Sequence, residues 1–264
     1  MRTALVTGGS QGVGKGVVEG LAEAGFRVYF TGRNVEALER TAEAASALGG
    51  EALARRVDHG ADSEVALLFE EIAAAGALDV LVNNVWGGYE RMVENGRFTW
   101  LDPFWEQPLW RWDAMMTTGV RAAFVASQLA TRLMLPQARG LIVNISFWPA
   151  QKHIGNALYG IAKAATDKLT ADMSFELRDK GIDAVSLYPG LVRTEKVMQY
   201  AEHMDLSNSE SPRFQGRVTA ALHSNPALAR ALRGTACVSA DLALRLGVED
   251  IDGRRPVPLT LASV

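Results

Sequence analysis

Metal ligands and disulfide partners are scarce in this sequence. It has one cysteine, Cys237, and four histidines among 264 residues. A single thiol cannot form an internal disulfide, and no spacing of Cys and His is typical of a zinc site. The sequence therefore excludes a disulfide-stabilised scaffold, and we expect no bound metal. A cytoplasmic location, where thiols stay reduced, is the simplest expectation.

Long apolar runs and blocks of one charge are also missing. No apolar stretch reaches the roughly 18 residues of a membrane-spanning helix, and the first residues lack the charged and apolar regions of a signal peptide. The formal net charge is −3, without any cluster of Lys and Arg. Nucleic acid attracts proteins through such clusters. We therefore expect no membrane, no nucleic-acid partner, and a small molecule as the ligand.

Short apolar segments alternate with longer segments of helical period. After the first apolar segment, Val13, Val17 and Leu21 fall on one face of a helix that Gly25 ends. The hydrophobic content of 48% is enough for one large core. The pattern predicts one domain over residues 1–264: an α/β, doubly wound Rossmann-type fold with a mainly parallel sheet flanked by helices. The predicted strands are residues 4–7, 27–31, 52–57, 80–83, 141–146 and 184–188.

Two segments break this alternation. Residues 87–112 form a long connection whose aromatic content indicates order, and it is the predicted substrate loop. Packing in the core or between subunits is the alternative role of its aromatic residues. Residues 195–225 are polar and amphipathic and could form a lid over the ligand. The aromatic residues of the substrate loop include Trp100, Phe104, Trp105, Trp110 and Trp112.

A glycine-rich turn follows the first predicted strand and opens the first helix. Its glycines allow a tight turn in which backbone N–H groups approach a pyrophosphate. The N-terminus of the helix also favours negative charge. We predict that a dinucleotide binds here, in contact with Gly8, Ser10, Gln11, Gly12, Val13 and Gly14.

The end of the second strand favours NADP(H) over NAD(H). Residues 31–34 contain no acidic residue to bind an unphosphorylated ribose, whereas Arg33 offers a planar cation for a 2′-phosphate. A solvated loop position is the alternative for Arg33. After the third strand, Asp58 is predicted either to accept a hydrogen bond from the adenine amine or to cap the next helix.

Three residues form a candidate catalytic set. Tyr159 and Lys163 are four residues apart, which places them on one face of a helix. A phenol has a reference pKa of about 10, and a nearby ammonium group favours its ionised form. Tyr159 is therefore the candidate general acid/base, and Lys163 its partner and a ligand of the nicotinamide ribose. Ser146 ends the fifth predicted strand, where its hydroxyl could bind the substrate carbonyl.

These motifs together resemble the short-chain dehydrogenase/reductase family. That family combines a Thr-Gly-x-x-x-Gly-x-Gly turn with Tyr-x-x-x-Lys and a serine thirteen residues before the tyrosine, which is the separation of Ser146 and Tyr159. The resemblance covers residues 2–194. Two further segments resemble family motifs, Asn-Asn-Val after the fourth strand and a Pro-Gly segment. They imply cofactor contacts at Asn83, Pro189, Gly190, Val192 and Thr194.

The resemblance implies an NADP(H)-dependent carbonyl reductase or alcohol dehydrogenase that works as a homodimer or homotetramer. Aromatic residues near the catalytic motifs favour an apolar or aromatic ketone as the substrate. These residues are Trp86, Tyr89, Phe147 and Trp148.

Val85-Trp86 departs from the family's usual Ala-Gly after Asn-Asn, and a second departure falls on a catalytic position. The family's fourth catalytic residue is an asparagine six residues after an aspartate, and counting from Asp113 gives Gly119. Glycine has no side chain to hold the water of the proton relay. Thr117 or Thr118 could hold it, the water could reach a backbone carbonyl directly, or the relay is weak.

Two other functions stay open. Gly119 would suit a weakly catalytic or non-catalytic protein that senses NADP(H), although the intact catalytic set favours chemistry. Sugar-nucleotide epimerisation also uses tyrosine and lysine, but the chain is short for the extra substrate domain. Gly119, the aromatic connection, Pro149 and residues 247–256 resemble one subgroup of the family, whose mammalian member is an NADPH-dependent carbonyl reductase.

Overall fold

A seven-stranded parallel sheet forms the centre of the protein, which a computed structural model describes over residues 1–264. Its strands are β1 (Thr3–Thr7), β2 (Arg27–Gly32), β3 (Glu51–Arg56), β4 (Val80–Asn83), β7 (Gly140–Ile145), β8 (Ile182–Tyr188) and β9 (Ala236–Val238). Their order is β3-β2-β1-β4-β7-β8-β9, and β5 (Val93–Glu94) and β6 (Arg97–Phe98) form a separate antiparallel pair.

Helices cover both faces of the sheet. None of them combines the length and the apolar character needed to cross a membrane. The helices are α1 (Gly12–Glu23), α2 (Val35–Ser46), α3 (Asp62–Ala75), α4 (Leu109–Asp113), a π-helical segment (Ala114–Arg121), α5 (Ala122–Met134), α6 (Ala157–Leu177), α7 (Glu195–Met198), α8 (Pro212–His223), α9 (Pro226–Leu232) and α10 (Ser239–Leu246).

The predicted doubly wound fold is confirmed. Each of the six predicted strands is present, with ends that differ by at most two residues. The apolar run of β1 is fully buried because helices pack on both sides of it, as expected for a central parallel strand. The sequence pattern missed β9, whose three residues pair with the end of β8 but are too few to show a period.

The segment predicted as a possible lid, residues 195–225, divides into two parts that differ in burial. Its second half contains α8, whose Phe214 and Val218 are fully buried in the same apolar cluster as Val17 and Leu21 of α1. This helix is part of the core. Residues 195–208, which begin with α7 next to the glycine-rich turn, are mostly exposed, whereas Ser209, Glu210 and Ser211 just before α8 are buried.

The long aromatic connection is ordered by a buried arginine. Arg111 is completely buried, and its guanidinium donates hydrogen bonds to the carbonyl oxygens of Thr99 at 3.0 Å and Arg91 at 3.1 Å. It also lies over the ring of Trp110 at 5.0 Å. A buried cation needs several acceptors to offset its lost hydration, so these bonds hold the connection in one shape. The ordered loop brings the Trp100 ring against Tyr159 of α6.

Candidate active site

The glycine-rich turn lies at the carboxyl end of β1 and opens α1. Gly12 has a φ of +58°, and a Cβ on Gly14 would lie 2.2 Å from the Gly8 carbonyl oxygen and the Asn84 side chain. Only glycine fits both constraints. Asn84 fixes the turn, because its amide donates to the carbonyl oxygens of Gly8 at 2.8 Å and Thr7 at 3.1 Å.

A carboxylate already occupies the N-terminus of α1. The backbone N–H of Gly12 donates to Glu195 Oε2 at 2.9 Å, and Lys15 Nζ lies 3.7 Å from the other oxygen of this carboxylate. A helix N-terminus attracts anions through its free N–H groups and its dipole. The carboxylate stands in for a phosphate oxygen, so the residues of this turn fit the pyrophosphate of a dinucleotide. Glu195 has no place in the sequence motifs and was missed.

The predicted adenosine residues lie near the ends of β2 and β3. Ser10 packs directly against Gly32, where a Cβ would lie 2.6 Å from the serine hydroxyl. Arg33 is exposed, and its guanidinium is 3.6 Å from Glu90 of the aromatic connection. The Asp58 side chain accepts a hydrogen bond from the Gly60 backbone N–H at 2.9 Å, outside α3. It does not cap that helix, whose N-cap residue is Ala61.

Asn83 differs from the other predicted cofactor residues. Its side chain is buried and donates to Ser127 at 2.9 Å and to Asn144 at 2.8 Å. Asn144 in turn donates to Thr170 of α6 at 2.7 Å. The Asn83 side chain therefore ties the sheet to α5 and α6, and it makes no hydrogen bond with the glycine-rich turn. Its neighbour Asn84 makes the contacts with the turn.

The Pro-Gly segment after β8 is braced by a buried acid. The Gly190 backbone N–H donates to the Glu210 carboxylate at 2.8 Å, and the backbone of Glu210 forms an isolated β-bridge with Val192. Burial raises the pKa of Glu210 to about 7, against hydrogen bonds from Gly190 and Gln215 that lower it. Thr194 caps α7 by accepting the Val197 N–H at 3.3 Å. The predicted residues Pro189, Gly190, Val192 and Thr194 therefore lie in one ordered loop beside Glu195.

The three predicted catalytic residues meet at the start of α6. Asn156 caps this helix by accepting the Tyr159 N–H at 3.0 Å, and its amide donates to the Trp100 carbonyl at 2.9 Å. Lys163 Nζ donates to the Ile145 carbonyl at the end of β7 at 3.1 Å. The buried Ser146 hydroxyl donates to the Lys163 carbonyl at 3.4 Å. The serine therefore contacts the lysine backbone, and the tyrosine hydroxyl has another partner.

That partner is Tyr89 of the aromatic connection, whose hydroxyl donates to the Tyr159 hydroxyl at 2.8 Å. Burial raises the pKa of Tyr159 to about 12, while the Tyr89 hydrogen bond lowers it. Burial lowers the pKa of Lys163 to about 8, and the charge of Asp167 opposes that shift. Near neutral pH, the Tyr159 hydroxyl is therefore protonated and Lys163 is charged.

Aromatic rings surround the Tyr159 ring. The ring centroids of Trp100, Trp86 and Tyr89 lie 5.2, 5.7 and 5.9 Å from that of Tyr159. Trp148 packs instead on Tyr188, with centroids 5.2 Å apart. Of the four aromatic residues predicted near the catalytic motifs, Trp86 and Tyr89 therefore lie beside Tyr159, and Phe147 packs against the apolar cluster that contains Tyr159. Trp100 of the aromatic connection joins them, and we call the rings of Trp86, Tyr89 and Trp100 the aromatic wall.

Gly119 lies in the π-helical segment and faces Trp86. A Cβ on Gly119 would be 2.8 Å from Cζ3 of the Trp86 indole, which leaves no room for a side chain. Thr117 is exposed, and Thr118 packs against Gly87. Neither threonine makes a side-chain hydrogen bond within the protein. The contact between Trp86 and Gly119 links two positions that the sequence analysis treated separately.

Comparisons with known proteins agree with these features. A family model described as short chain dehydrogenase matches residues 2–205. Dehydrogenase/reductase SDR family member 1 of Mus musculus is 39% identical over 265 residues, which cover 95% of this chain and 83% of the mouse protein. The subgroup resemblance inferred from Gly119 and the aromatic connection is confirmed by this relative.

Solved structures extend the likeness to the whole fold. A 7α-hydroxysteroid dehydrogenase complexed with NADH and 7-oxo glycochenodeoxycholic acid is 25% identical, with a TM-score of 0.76 over 90% of this chain and 92% of that one. A protein from Beutenbergia cavernae with NADP bound at low occupancy is 27% identical, with a TM-score of 0.76 over 90% and 94% of the two chains. With its glycine-rich turn, its Tyr159–Lys163 pair and these relatives, the chain belongs to the short-chain dehydrogenase family, an oxidoreductase family that binds nicotinamide cofactors.

Proposed function

We propose that the protein is an NADP(H)-dependent carbonyl reductase or alcohol dehydrogenase. In this proposal Tyr159 is the general acid/base for an apolar or aromatic ketone and the corresponding secondary alcohol. The observation that carries it is the buried Tyr159 hydroxyl, which lies within an aromatic wall one helical turn from the Lys163 ammonium. The bound nicotinamide supplies or accepts the hydride.

The residues of the chain bind, orient and move a proton. The turn from Gly8 to Gly14 would hold the pyrophosphate, Arg33 the 2′-phosphate, and the loop from Pro189 to Thr194 the nicotinamide amide. Asp58 is exposed near the end of β3 and can meet the adenine. In reduction, the Tyr159 hydroxyl donates its proton to the carbonyl oxygen, and the Lys163 charge stabilises the phenolate that remains.

Ser146 and Tyr89 complete the polar contacts proposed for the reacting oxygen. The Ser146 hydroxyl lies at the carboxyl end of β7 and can turn from the Lys163 carbonyl to a substrate oxygen. Tyr89 donates to the Tyr159 oxygen, so the proton of Tyr159 itself stays available for a substrate. Because Tyr89 belongs to the aromatic connection, this contact also supports a substrate-binding role for that segment.

The aromatic wall supports the choice of substrate. Rings favour apolar or aromatic partners, and the related 7α-hydroxysteroid dehydrogenase binds a steroid ketone. The related structures contain NADH in one case and NADP in another, so the preference for NADP(H) depends on Arg33 in this chain. We also propose a cytoplasmic location, with Cys237 as a free thiol, and a homodimer or homotetramer. Exposed Phe124 of α5 and Phe175 of α6 would suit a subunit interface.

The test is NADPH consumption with a panel of aromatic, steroidal and quinone carbonyls, with NADH as the comparison cofactor. Tyr159→Phe keeps the ring but removes the proton, so we expect kcat to fall by at least about 100-fold while the Kd for NADPH changes little. Tyr29→Phe, a buried tyrosine of β2, is the matched control and should keep the wild-type rate. A Tyr159→Phe rate close to that of wild type would refute the acid/base role. Tight NADPH binding without turnover of any substrate would favour the sensor alternative instead.

A further inference from the structure

Trp86 and Gly119 are complementary in shape. The six-membered part of the Trp86 indole lies against the Gly119 backbone, with Cζ3 at 2.8 Å and Cε3 at 2.9 Å from the position of a Cβ. Gly119 itself is buried in the π-helical segment. The indole therefore occupies the space that an asparagine at position 119 and its water would need. Glycine at 119 leaves the room that the indole of Trp86 occupies.

The same indole also contacts the catalytic lysine. Lys163 Nζ lies over the Trp86 ring, 4.0 Å from its centroid, and its one hydrogen bond in the protein is to the Ile145 carbonyl. The ammonium is thus poorly solvated, with Lys163 only 6% exposed. A desolvated cation over the face of tryptophan is a strong form of the cation–π contact. The Trp86 ring also meets Tyr159 edge to face at 5.7 Å.

We propose that Trp86 is a positioning residue for catalysis: its indole face holds the Lys163 ammonium beside Tyr159 and replaces the asparagine and water that Gly119 cannot provide. Trp86 touches the lysine and acts through it. The inference rests on the proposed function, because the catalytic role of Lys163 belongs to that proposal. It also assigns a purpose to two departures from the family pattern, the tryptophan after Asn-Asn-Val and the glycine at 119.

The first test separates the π face from simple packing. Trp86→Phe keeps an aromatic face, whereas Trp86→Leu keeps apolar volume without one. We expect kcat to fall by roughly threefold for Trp86→Phe and by roughly 10- to 30-fold for Trp86→Leu, the range of a desolvated cation–π contact. The KM for NADPH and the midpoint of thermal unfolding should be similar in the two variants. Equal kcat values for Trp86→Phe and Trp86→Leu would overturn the proposal.

The second test replaces the tryptophan–glycine pair at positions 86 and 119 by the alanine–asparagine pair. Gly119→Asn alone should clash with the indole, so we expect a lower unfolding midpoint and almost no turnover. In the Trp86→Ala background, the same Gly119→Asn change has room for its side chain and a water near Lys163. We therefore expect the double variant to be at least about tenfold faster than Trp86→Ala, a reversal of sign that marks direct coupling. Additive losses would show that the two positions do not replace one another.

A readout without turnover keeps this inference separate from the proposed function. The difference in tryptophan emission between wild type and Trp86→Phe reports the indole of Trp86. It should change as Lys163 titrates near pH 8 and stay flat in a Lys163→Met background. Asp167 favours the charged lysine, and burial raises the pKa values of Tyr159 and Tyr89, so neither phenol titrates in that range. If the difference in emission stays flat in the chain that keeps Lys163, the proposed contact between the indole and the ammonium is wrong. If the emission titrates but no substrate is turned over, only the proposed function is refuted.

Discussion

The two ends of the proposed cofactor cleft each hold a charged side chain of the protein, but in opposite surroundings. At the glycine-rich turn, the Glu195 carboxylate binds the Gly12 N–H while its side chain is 55% exposed. At the proposed catalytic end, the Lys163 ammonium lies over the indole of Trp86, and the lysine is only 6% exposed. Exposed charges exchange partners at little cost because water and salt screen them. Buried charges are costly to move, so the catalytic end is fixed and the phosphate end is exchangeable.

The largest expected effect is on the affinity for NADPH, at the exposed arginine that we propose binds the 2′-phosphate. Arg33→Ala removes the cation proposed for the 2′-phosphate, and a charge-assisted hydrogen bond contributes about 1.5–3 kcal/mol. We expect the Kd for NADPH to rise roughly 10- to 100-fold, with a much smaller change for NADH. Isothermal titration with both cofactors measures this. Arg40→Ala, an exposed arginine of α2, is the matched control. An equal loss for the two cofactors would contradict the 2′-phosphate role.

The buried Lys163 at the fixed end should make the reaction rate fall, and the stability of the protein rise, as the pH increases above about 8. Lys163 has its pKa lowered by burial from 10.5 to about 8, so the folded protein releases this proton first. In the proposed mechanism reduction needs the charged lysine, so kcat/KM should be highest below about pH 8 and fall up to tenfold per pH unit above it. Between about pH 8 and 10.5 the unfolded chain binds more protons at this site than the folded protein, so its contribution to the free energy of unfolding rises with pH.

Lys163→Met supplies the comparison for that prediction. It removes the buried cation, so the variant should unfold at a higher temperature than wild type at neutral pH, and the difference should shrink by pH 10. Thermal unfolding across this pH range, recorded beside the rate profile, measures both. If the wild type instead loses stability relative to Lys163→Met as the pH rises, burial does not disfavour the charged form of this lysine.

Features that depend on local sequence patterns could be predicted, whereas contacts between distant segments could not. Strands and the glycine-rich turn follow from local patterns, since β1 is a buried apolar run and Gly14 admits no Cβ. The spacing of Tyr159 and Lys163 likewise fixes their place on one helix. Contacts between distant segments carry no such pattern: Tyr89 with Tyr159, and Trp86 with Gly119. Glu195 was also missed, because its meeting with Gly12 depends on how the chain returns after β8.

The smallest expected effect tests whether the phosphate end is exchangeable. A dinucleotide pyrophosphate and the Glu195 carboxylate compete for the same helix N-terminus, and a charge at such a site contributes about 0.3–1 kcal/mol. Glu195→Gln weakens the internal competitor, so the Kd for NADPH should fall roughly two- to fivefold, and the gain should shrink in high salt because the site is exposed. Glu202→Gln, an exposed acid of the same surface segment, is the control and should leave the Kd unchanged. Weaker NADPH binding in Glu195→Gln would instead mean that the carboxylate supports the turn, and both ends of the cleft would then be fixed.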